Sequence, residues 1–181
     1  MCILFTLLFF YAIVNLQTKQ QPTKIKQTKR RVLMLDAKTI ELVKSTVPAI
    51  REHGLTITKT FYKNMFERSP EIVPFFNMDN QATGKQPKAL AMTVLAAAEN
   101  IDHLEKLAPA VEKVAITHCN CNIVPEQYPI IGGHLLDAFK EVLGDAITDE
   151  IIEAWAKAYD VIAEIFIEAE KKEYARRANN A

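Results

Sequence analysis

The sequence of 181 residues lacks several features that would point directly to a function. Its three cysteines, one of them far from the other two, form no disulfide framework and suit a reducing compartment. It contains neither a Gly-x-Gly-x-x-Gly nor a Gly-x-x-x-x-Gly-Lys-Ser/Thr segment, so no known loop for a flavin or a nicotinamide is present. From Asp36 onward there is no internal repeat and no strand-like alternation of any length. These absences favour an all-helical domain.

The chain also lacks an excess of charge, although its charges are unevenly placed. It has 22 basic and 22 acidic residues. Residues 1–33 hold six of the basic side chains and no acidic one, so the remainder carries 16 basic against 22 acidic residues, a net charge of −6. An acidic body argues against a surface for nucleic acid. We therefore expect no nucleic acid among the partners.

Residues 1–33 differ in composition from the rest. Residues 1–16 are apolar but marginally short for a membrane-spanning helix, which usually needs about 20 residues. Neither the early positive charge nor the cleavage site of a signal peptide is clear. Read as an anchor followed by the basic tract KIKQTKRR, this segment would place the body on the cytoplasmic side. Alternatively, Met34 is the true start. We expect an N-terminal extension at 1–33, a domain at 34–181 and a cytoplasmic location, with membrane contact only if the anchor is real.

Helical spacing of apolar residues appears nearly everywhere in the body. Asp36 is a candidate cap for a first helix that Pro48 kinks and Gly54 ends, followed by a helix at about 55–68. A short helical piece fits the proline-rich segment SPEIVPFFNM. Longer helices are predicted from Gly84 to about 98, from about 107 to 118, from Pro125 to about 144, and from 148 or 149 to about 175. Helices of such unequal length predict an irregular α-fold packed around something, rather than an up-down bundle.

His118 is the most informative of the four histidines. None has a glutamate three residues before it and no His-Glu-x-x-His occurs, so di-iron and zinc-protease patterns are missing. Cys119 and Cys121 follow it without the usual separation of zinc ligands, and the order is not that of covalent haem attachment. We interpret both cysteines as small, partly buried residues at a helix end. His118 shares a helical face with Leu107, Val111 and Val114. This pattern leaves two roles for His118 open, that of a buried core residue and that of a ligand.

Several segments in order carry a resemblance to a known family. They are MLDAKTI, the pair Phe61-Tyr62, PFFNM, GKQPKAL, AVEKVAITH, PEQYPIIGGHLL and EAWAKAY. From Met34 to about Tyr174, the chain resembles the globin domain of bacterial flavohaemoglobins and their single-domain haemoglobin relatives. The resemblance implies an all-α globin fold with six to eight helices packed around a haem. The cofactor would be haem b, which is iron protoporphyrin IX, held without covalent links.

The resemblance implies that His118 is the proximal ligand of the iron. Neutral imidazole suits iron, and one axial histidine leaves the other face open for a gas. Tyr128 and Glu170 match the family's two partners of that histidine. A carboxylate that accepts the other ring N–H raises the donor strength of the imidazole. Without the resemblance, Tyr128 would be read as an amphipathic residue at a helix start, and Glu170 as one of several solvated charges.

On the opposite side, Tyr62 and Gln86 match the family's distal pair. A hydroxyl and an amide can each donate to bound O₂. Because Pro87 disfavours helical geometry at the preceding residue, we expect Gln86 at a helix entrance, with a side chain that moves when a ligand binds.

Three apolar residues complete the expected pocket. Leu90 lies one helical turn after Gln86 and would wall the ligand site. Phe76 matches the aromatic that packs on the haem edge, and Phe61 is assigned to the same cofactor pocket.

The resemblance implies O₂ binding at ferrous iron and leaves two functions open. In the first, bound O₂ oxidises nitric oxide to nitrate, which the polar distal pair and the carboxylate-supported histidine favour. In the second, the protein stores or delivers O₂. The chain ends at Ala181 without the reductase region of two-domain flavohaemoglobins, so enzymatic turnover would need a separate electron-donating reductase. We favour detoxification of nitric oxide.

Overall fold

The computed structural model describes residues 35–180, and every regular element in that range is a helix. The expected all-α architecture is thus confirmed for this part of the chain. None of these helices is both long and apolar enough to cross a bilayer. The predicted N-terminal extension lies outside the described residues and stays a prediction. The α-helices are α1 (Ala37–Ser45), α2 (Val47–Arg68), α3 (Met78–Ala82), α4 (Lys85–Glu99), α5 (Ala108–Asn120), α6 (Gln127–Leu143) and α7 (Asp149–Ala178).

Three short 3-10 helices lie between the α-helices. Pro70–Phe75 provides the short helical piece that the proline-rich segment predicted. Leu104–Leu107 leads directly into α5, and Gly144–Ala146 follows α6.

The prediction that Gly54 ends the first helix is wrong. The first helix, α1, ends earlier, at Ser45, and α2 continues through Gly54 to Arg68. Pro48 does not kink a helix but lies in the first turn of α2, where its missing N–H costs no hydrogen bond. A Cβ added at Gly54 would lie 3.5 Å from the Cβ of Ala91 in α4. This distance is an ordinary van der Waals contact, so the packing of α2 against α4 does not require a glycine here, and the helix continues despite the low helix propensity of the residue.

Side-chain caps define the starts of three helices, among them α1 and α7. Asp36 Oδ1 accepts a hydrogen bond from the backbone N–H of Thr39 at 2.7 Å, which confirms the predicted cap of α1. Thr148 Oγ1 accepts from the N–H of Ile151 at 3.3 Å and caps α7. Pro125, which we expected at the first position of α6, instead precedes that helix by two residues.

The core is built on α2, which contacts both α4 and α6, while α7 contacts α1, α5 and α6. Phe61 and Met65 of α2 and Phe139 of α6 are almost completely buried. Trp155 of α7 packs on Phe139 with ring centroids 5.0 Å apart, and its Nε1 donates to Thr46 Oγ1 at 3.2 Å. A cavity lies between these helices, with walls from α2, α4, α5, α6 and α7.

Candidate functional site

The cavity is lined almost wholly by apolar side chains. Its empty volume, counted with its open mouth, is about 1200 Å³. Such a concave, apolar lining is typical of sites that take hydrophobic ligands. Five of the residues predicted from the sequence to form the site line it, namely Phe61, Phe76, Leu90, His118 and Tyr128. The other walls come from α4 to α7 and from the 3-10 helix before α5, including Val94, Leu107, Val114, Ile131, Leu135 and Phe166.

His118 lies in the last turn of α5 and is only 3% exposed. Its Nδ1 forms a hydrogen bond with Glu170 Oε1 from α7 and lies 3.1 Å from the hydroxyl of Tyr128. Because a carboxylate can only accept, Nδ1 carries the proton. Nε2, on the other side of the ring, is then the basic nitrogen that can bind a metal.

Glu170 is not one of the solvated charges of its segment, because it is 2% exposed. Tyr128 donates its hydroxyl to the same Glu170 oxygen at 2.5 Å. Burial, followed by the charge of Glu170, raises the pKa of Tyr128, so the phenol stays protonated and remains a donor. A buried carboxylate that accepts from both the imidazole and the phenol holds the histidine ring in one orientation.

The distal candidates lie together at the contact of α2 with α4. Tyr62 is 3% and Gln86 4% exposed. Gln86 lies at the start of α4, as expected, but as its second residue it already belongs to the first helical turn, although a following proline disfavours helical geometry. Thr58 Oγ1 donates to the carbonyl of Pro87 at 2.8 Å and fixes this turn against α2. Burial raises the pKa of Tyr62, and the nearby amides of Gln86 and Gln81 oppose that shift only in part. Although these amides are close, the Tyr62 hydroxyl has no hydrogen-bond partner among the described residues.

Tyr62 and Gln86 are not among the residues that line the apolar cavity. The Tyr62 ring packs edge-on against Phe76, which does line it, with centroids 5.8 Å apart. Tyr62 also borders a second, more polar cavity together with Lys59, Lys63 and Gln81. The structure therefore brings the distal pair together at the edge of the pocket, and their roles remain predictions.

Comparison with known proteins decides the family. The Globin family model matches residues 59–166, more than half of the chain. The chain belongs to the globin family. The expected globin fold is thereby confirmed, and the flavohaemoprotein relatives confirm the resemblance to flavohaemoglobin globin domains.

Two relatives show how this globin compares with longer proteins. It is 57% identical over 147 residues to a flavohaemoprotein of Oceanobacillus iheyensis, an alignment that covers 81% of this chain and 36% of the relative. It is 50% identical over 148 residues to a flavohaemoprotein of Bacillus subtilis, which covers 82% of this chain and 37% of the relative. The chain thus spans little more than a third of the length of these curated relatives.

Three solved structures share the fold. A bacterial globin from Campylobacter jejuni is 44% identical with a TM-score of 0.73, covering 77% of this chain and 99% of that one. An engineered carbene transferase, made from a Rhodothermus marinus protein described as a nitric oxide dioxygenase, is 33% identical with a TM-score of 0.74, covering 80% and 99%. A flavohaemoglobin from Malassezia yamatoensis with bound FAD and haem is 31% identical with a TM-score of 0.70, covering 78% and 38%.

The residues of this globin fit the haem that its family implies. The cavity has apolar walls, and one buried imidazole with a protonated Nδ1 faces it. The hydroxyl of Tyr62 is a buried donor without a partner among the described residues. Such a donor is costly to bury unless something accepts from it, and a polar ligand on the distal side would do so.

Sequence reasoning missed Gln81 of the short helix α3. Its Nε2 is buried without a hydrogen-bond partner among the described residues, and the side chain is close to the Tyr62 hydroxyl. No sequence signal marks Gln81, because a five-residue helix has too little periodicity to show which side chains point inward.

The cysteines beside His118 take no part in the pocket lining. Cys119 is a free, buried thiol that donates to the backbone carbonyl of Glu170 at 3.7 Å, and Cys121 directly follows the last residue of α5. Residues 35–180 contain no cluster of three or more His, Cys, Asp or Glu side chains that could hold a metal ion. The interpretation of Cys119 as a small buried residue at a helix end is confirmed.

Proposed function

We propose that this globin binds haem b through Nε2 of His118 and oxidises nitric oxide to nitrate with O₂, using electrons from a separate reductase. The buried network of His118, Glu170 and Tyr128 is the observation that carries this proposal. When bound, the haem supplies the ferrous iron at which O₂ binds and reacts with nitric oxide. The residues of the chain set the electron density and polarity around that iron.

The proximal residues strengthen the donor nitrogen. Glu170 accepts the Nδ1 proton of His118, which gives the imidazole part of the character of an imidazolate. Tyr128 donates to the same carboxylate and keeps it aligned. A histidine that only held the cofactor would not need a buried carboxylate, and burying such a charge is costly unless it is well paired. This observation favours redox chemistry over simple storage.

The distal residues supply hydrogen bonds to a ligand that carries partial negative charge. The raised pKa of Tyr62 keeps its phenol protonated, so it is a donor throughout the physiological pH range. Gln86 can add an amide donor after a change of side-chain rotamer. Identical Gln86 rotamers in ligand-free and liganded crystal structures would contradict that movement. Tight retention of O₂ by the same pair supports the second candidate function, O₂ binding and delivery without turnover.

Electrons are proposed to come from another protein. The flavohaemoglobin of Malassezia yamatoensis contains FAD as well as haem, and this chain matches only 38% of that protein. The 181 residues of this globin include no glycine-rich loop for a flavin or a nicotinamide. A cytoplasmic location, proposed from the low cysteine content, is compatible with a reductase partner.

Mixing the O₂-bound form of the purified full chain with nitric oxide tests the proposal. We expect rapid conversion to ferric haem with one nitrate formed per haem, followed by absorbance and nitrate assay. Survival of the O₂-bound form would contradict the enzymatic function and favour O₂ delivery. Loss of the Soret band in His118→Ala is the control for ligation, and an unchanged band would refute the assignment of the iron ligand.

A further inference from the structure

The last three turns of α7 present a polar stripe to the end of α5. Glu170, Glu173, Tyr174 and Arg177 are spaced at i, i+3, i+4 and i+7, so they lie on one helical face. Glu170 holds the His118 imidazole. The other three residues contact the backbone around that histidine, or orient a residue that does.

Arg177 donates hydrogen bonds to the C-terminal end of α5 on both sides of His118. Its Nη2 donates to the carbonyl of Ile116 at 3.1 Å and to Oδ1 of Asn120 at 2.7 Å. These residues stand two positions before and two positions after the histidine. A cation at this place also suits the partial negative charge at a helix C-terminus.

Tyr174 fixes the turn that follows α5. Its hydroxyl donates to the carbonyl of Ile123 at 3.0 Å. The N–H of Ile123 in turn donates to the carbonyl of His118 at 3.0 Å. The hydroxyl of Tyr174 is therefore connected to the backbone of His118 through a single residue.

Glu173 orients the guanidinium of Arg177. Its Oε1 accepts from Arg177 Nε at 2.8 Å, which leaves Nη2 of the same group directed at α5. The carboxylate also accepts two hydrogen bonds from Arg176, each at 2.8 Å. Hydrogen bonds from Arg176 and Arg177 lower the pKa of Glu173 to about 2, so it is fully ionised at physiological pH.

We propose that Glu173, Tyr174 and Arg177, together the α7 clamp, are positioning residues that fix the end of α5 and so align the His118 imidazole with Glu170. The inference rests on the proposed function, because it takes His118 as the ligand of the haem iron. Without the clamp, the end of α5 is free to rotate, the Nδ1–Glu170 hydrogen bond loses alignment, and Nε2 becomes a weaker donor.

Resonance Raman spectroscopy of the ferrous, haem-loaded full chain tests the clamp. Arg177→Met keeps an unbranched apolar stem and removes both contacts with α5, so the iron–histidine stretch should move to lower frequency. Arg176→Met is the matched control, because Arg176 makes two hydrogen bonds to Glu173 but none to α5. An unchanged band in Arg177→Met, or an equal shift in both variants, would overturn the proposal.

Hydrogen exchange provides a readout that does not depend on the iron. In the full chain as purified, the amides of Cys121 and Ile123, which donate to the carbonyl of His118, should exchange roughly tenfold faster in Arg177→Met than in Arg176→Met. Equal exchange in the two variants would refute the clamp. If Arg177→Met does not fold, Tyr174→Phe removes one hydroxyl from a side chain that is 37% exposed and should act in the same direction.

The two measurements separate failure of the clamp from failure of the proposed function. A chain that binds no haem, or keeps its iron–histidine band in His118→Ala, would refute the proposed ligation, while exchange would still decide whether the clamp holds α5. A protein that fails to oxidise nitric oxide but shows the Raman shift would keep the clamp and lose only the enzymatic function.

Discussion

At the scale of single residues, the candidate site depends on the two protons that His118 and Tyr128 donate to Glu170. Nδ1 of His118 and the hydroxyl of Tyr128 both point at one oxygen of Glu170, which is almost completely buried. In an interior of low polarity, such charge-assisted hydrogen bonds are stronger than on the surface. Removing one partner therefore leaves buried polar atoms of the others without a hydrogen bond.

Glu170→Gln should therefore weaken the donor strength of His118 while keeping the shape of the site. We expect the iron–histidine stretch to move to lower frequency, and the reaction of the O₂-bound form with nitric oxide to slow by roughly tenfold to a hundredfold. Glu168→Gln is the matched control, because that acid pairs only with Lys171 at the surface among the described contacts. Equal spectra for Glu170→Gln and the wild type would remove Glu170 from the site.

Tyr62→Phe should remove the principal distal donor. A hydrogen bond to a charged or partly charged acceptor contributes about 1.5–3 kcal/mol, so we expect O₂ to dissociate roughly tenfold to a hundredfold faster. Dissociation of carbon monoxide, which accepts hydrogen bonds weakly, is the internal control and should change much less. If stopped-flow measurements show the same O₂ dissociation rate for both proteins, the Tyr62 hydroxyl does not face the ligand.

The residues also show why sequence reasoning reaches some parts of the site and not others. The face that contains Val111, Val114 and His118 is readable from helical spacing, but a ligand role was predicted only through the family resemblance. Glu170 is 52 residues away from its partner, and no local pattern distinguishes it from its charged neighbours. Gln81 and Arg177 were missed for the same reason, since only tertiary packing shows what their side chains reach.

At the scale of elements, local propensity predicted the number and type of helices better than their boundaries. Asp36 and Thr148 cap helices because a cap depends on only three or four neighbouring residues. Gly54 misled the prediction because the packing of α2 against α4, which no local pattern shows, keeps the helix continuous through this residue. Helix-ending and helix-packing glycines look alike until the neighbouring helix is known.

Two adjacent glycines of α6 offer a test of this contrast. A Cβ at Gly132 would lie 2.5 Å from Cε1 of Tyr159, whereas a Cβ at Gly133 meets nothing within 4 Å. Gly132→Ala should therefore lower the free energy of unfolding by about 1–3 kcal/mol through overpacking. Gly133→Ala should raise it by about 0.5–1 kcal/mol through the better helix propensity of alanine.

The displaced Tyr159 ring would also disturb the pocket. Tyr159 lines the cavity, and its hydroxyl donates to the backbone carbonyl of Tyr128 at 2.8 Å. We expect Gly132→Ala, but not Gly133→Ala, to weaken haem retention, measured by transfer of haem to an excess of apomyoglobin. Two alanine variants with the same unfolding free energy would contradict the steric argument.

At the scale of the whole molecule, several contacts between residues distant in sequence meet at the same end of α5. Glu170, Tyr174 and Arg177 of α7 each contact the segment from Ile116 to Ile123. Hydrogen bonds from α7 thus fix the C-terminal end of α5, the helix that contains His118. Loss of these contacts should both disturb the position of His118 and lower the free energy of unfolding.

The stability of the fold at acidic pH should depend on Glu173, which accepts a hydrogen bond from Arg177. Its pKa is lowered from 4.5 to about 2 in the folded chain by the hydrogen bonds from Arg176 and Arg177. A carboxyl group whose folded pKa is depressed stabilises the fold fully above its unfolded pKa, and the contribution is lost as the pH falls through the folded value. The difference in unfolding free energy between the wild type and Glu173→Gln should therefore be constant above about pH 4.5 and shrink toward pH 2.

Urea titrations at a series of pH values measure that difference, with Glu168→Gln as the surface control. A difference that stays level through this interval would mean that the ionised Glu173 does not stabilise the end of α7, and the arginines would then need another explanation for their placement.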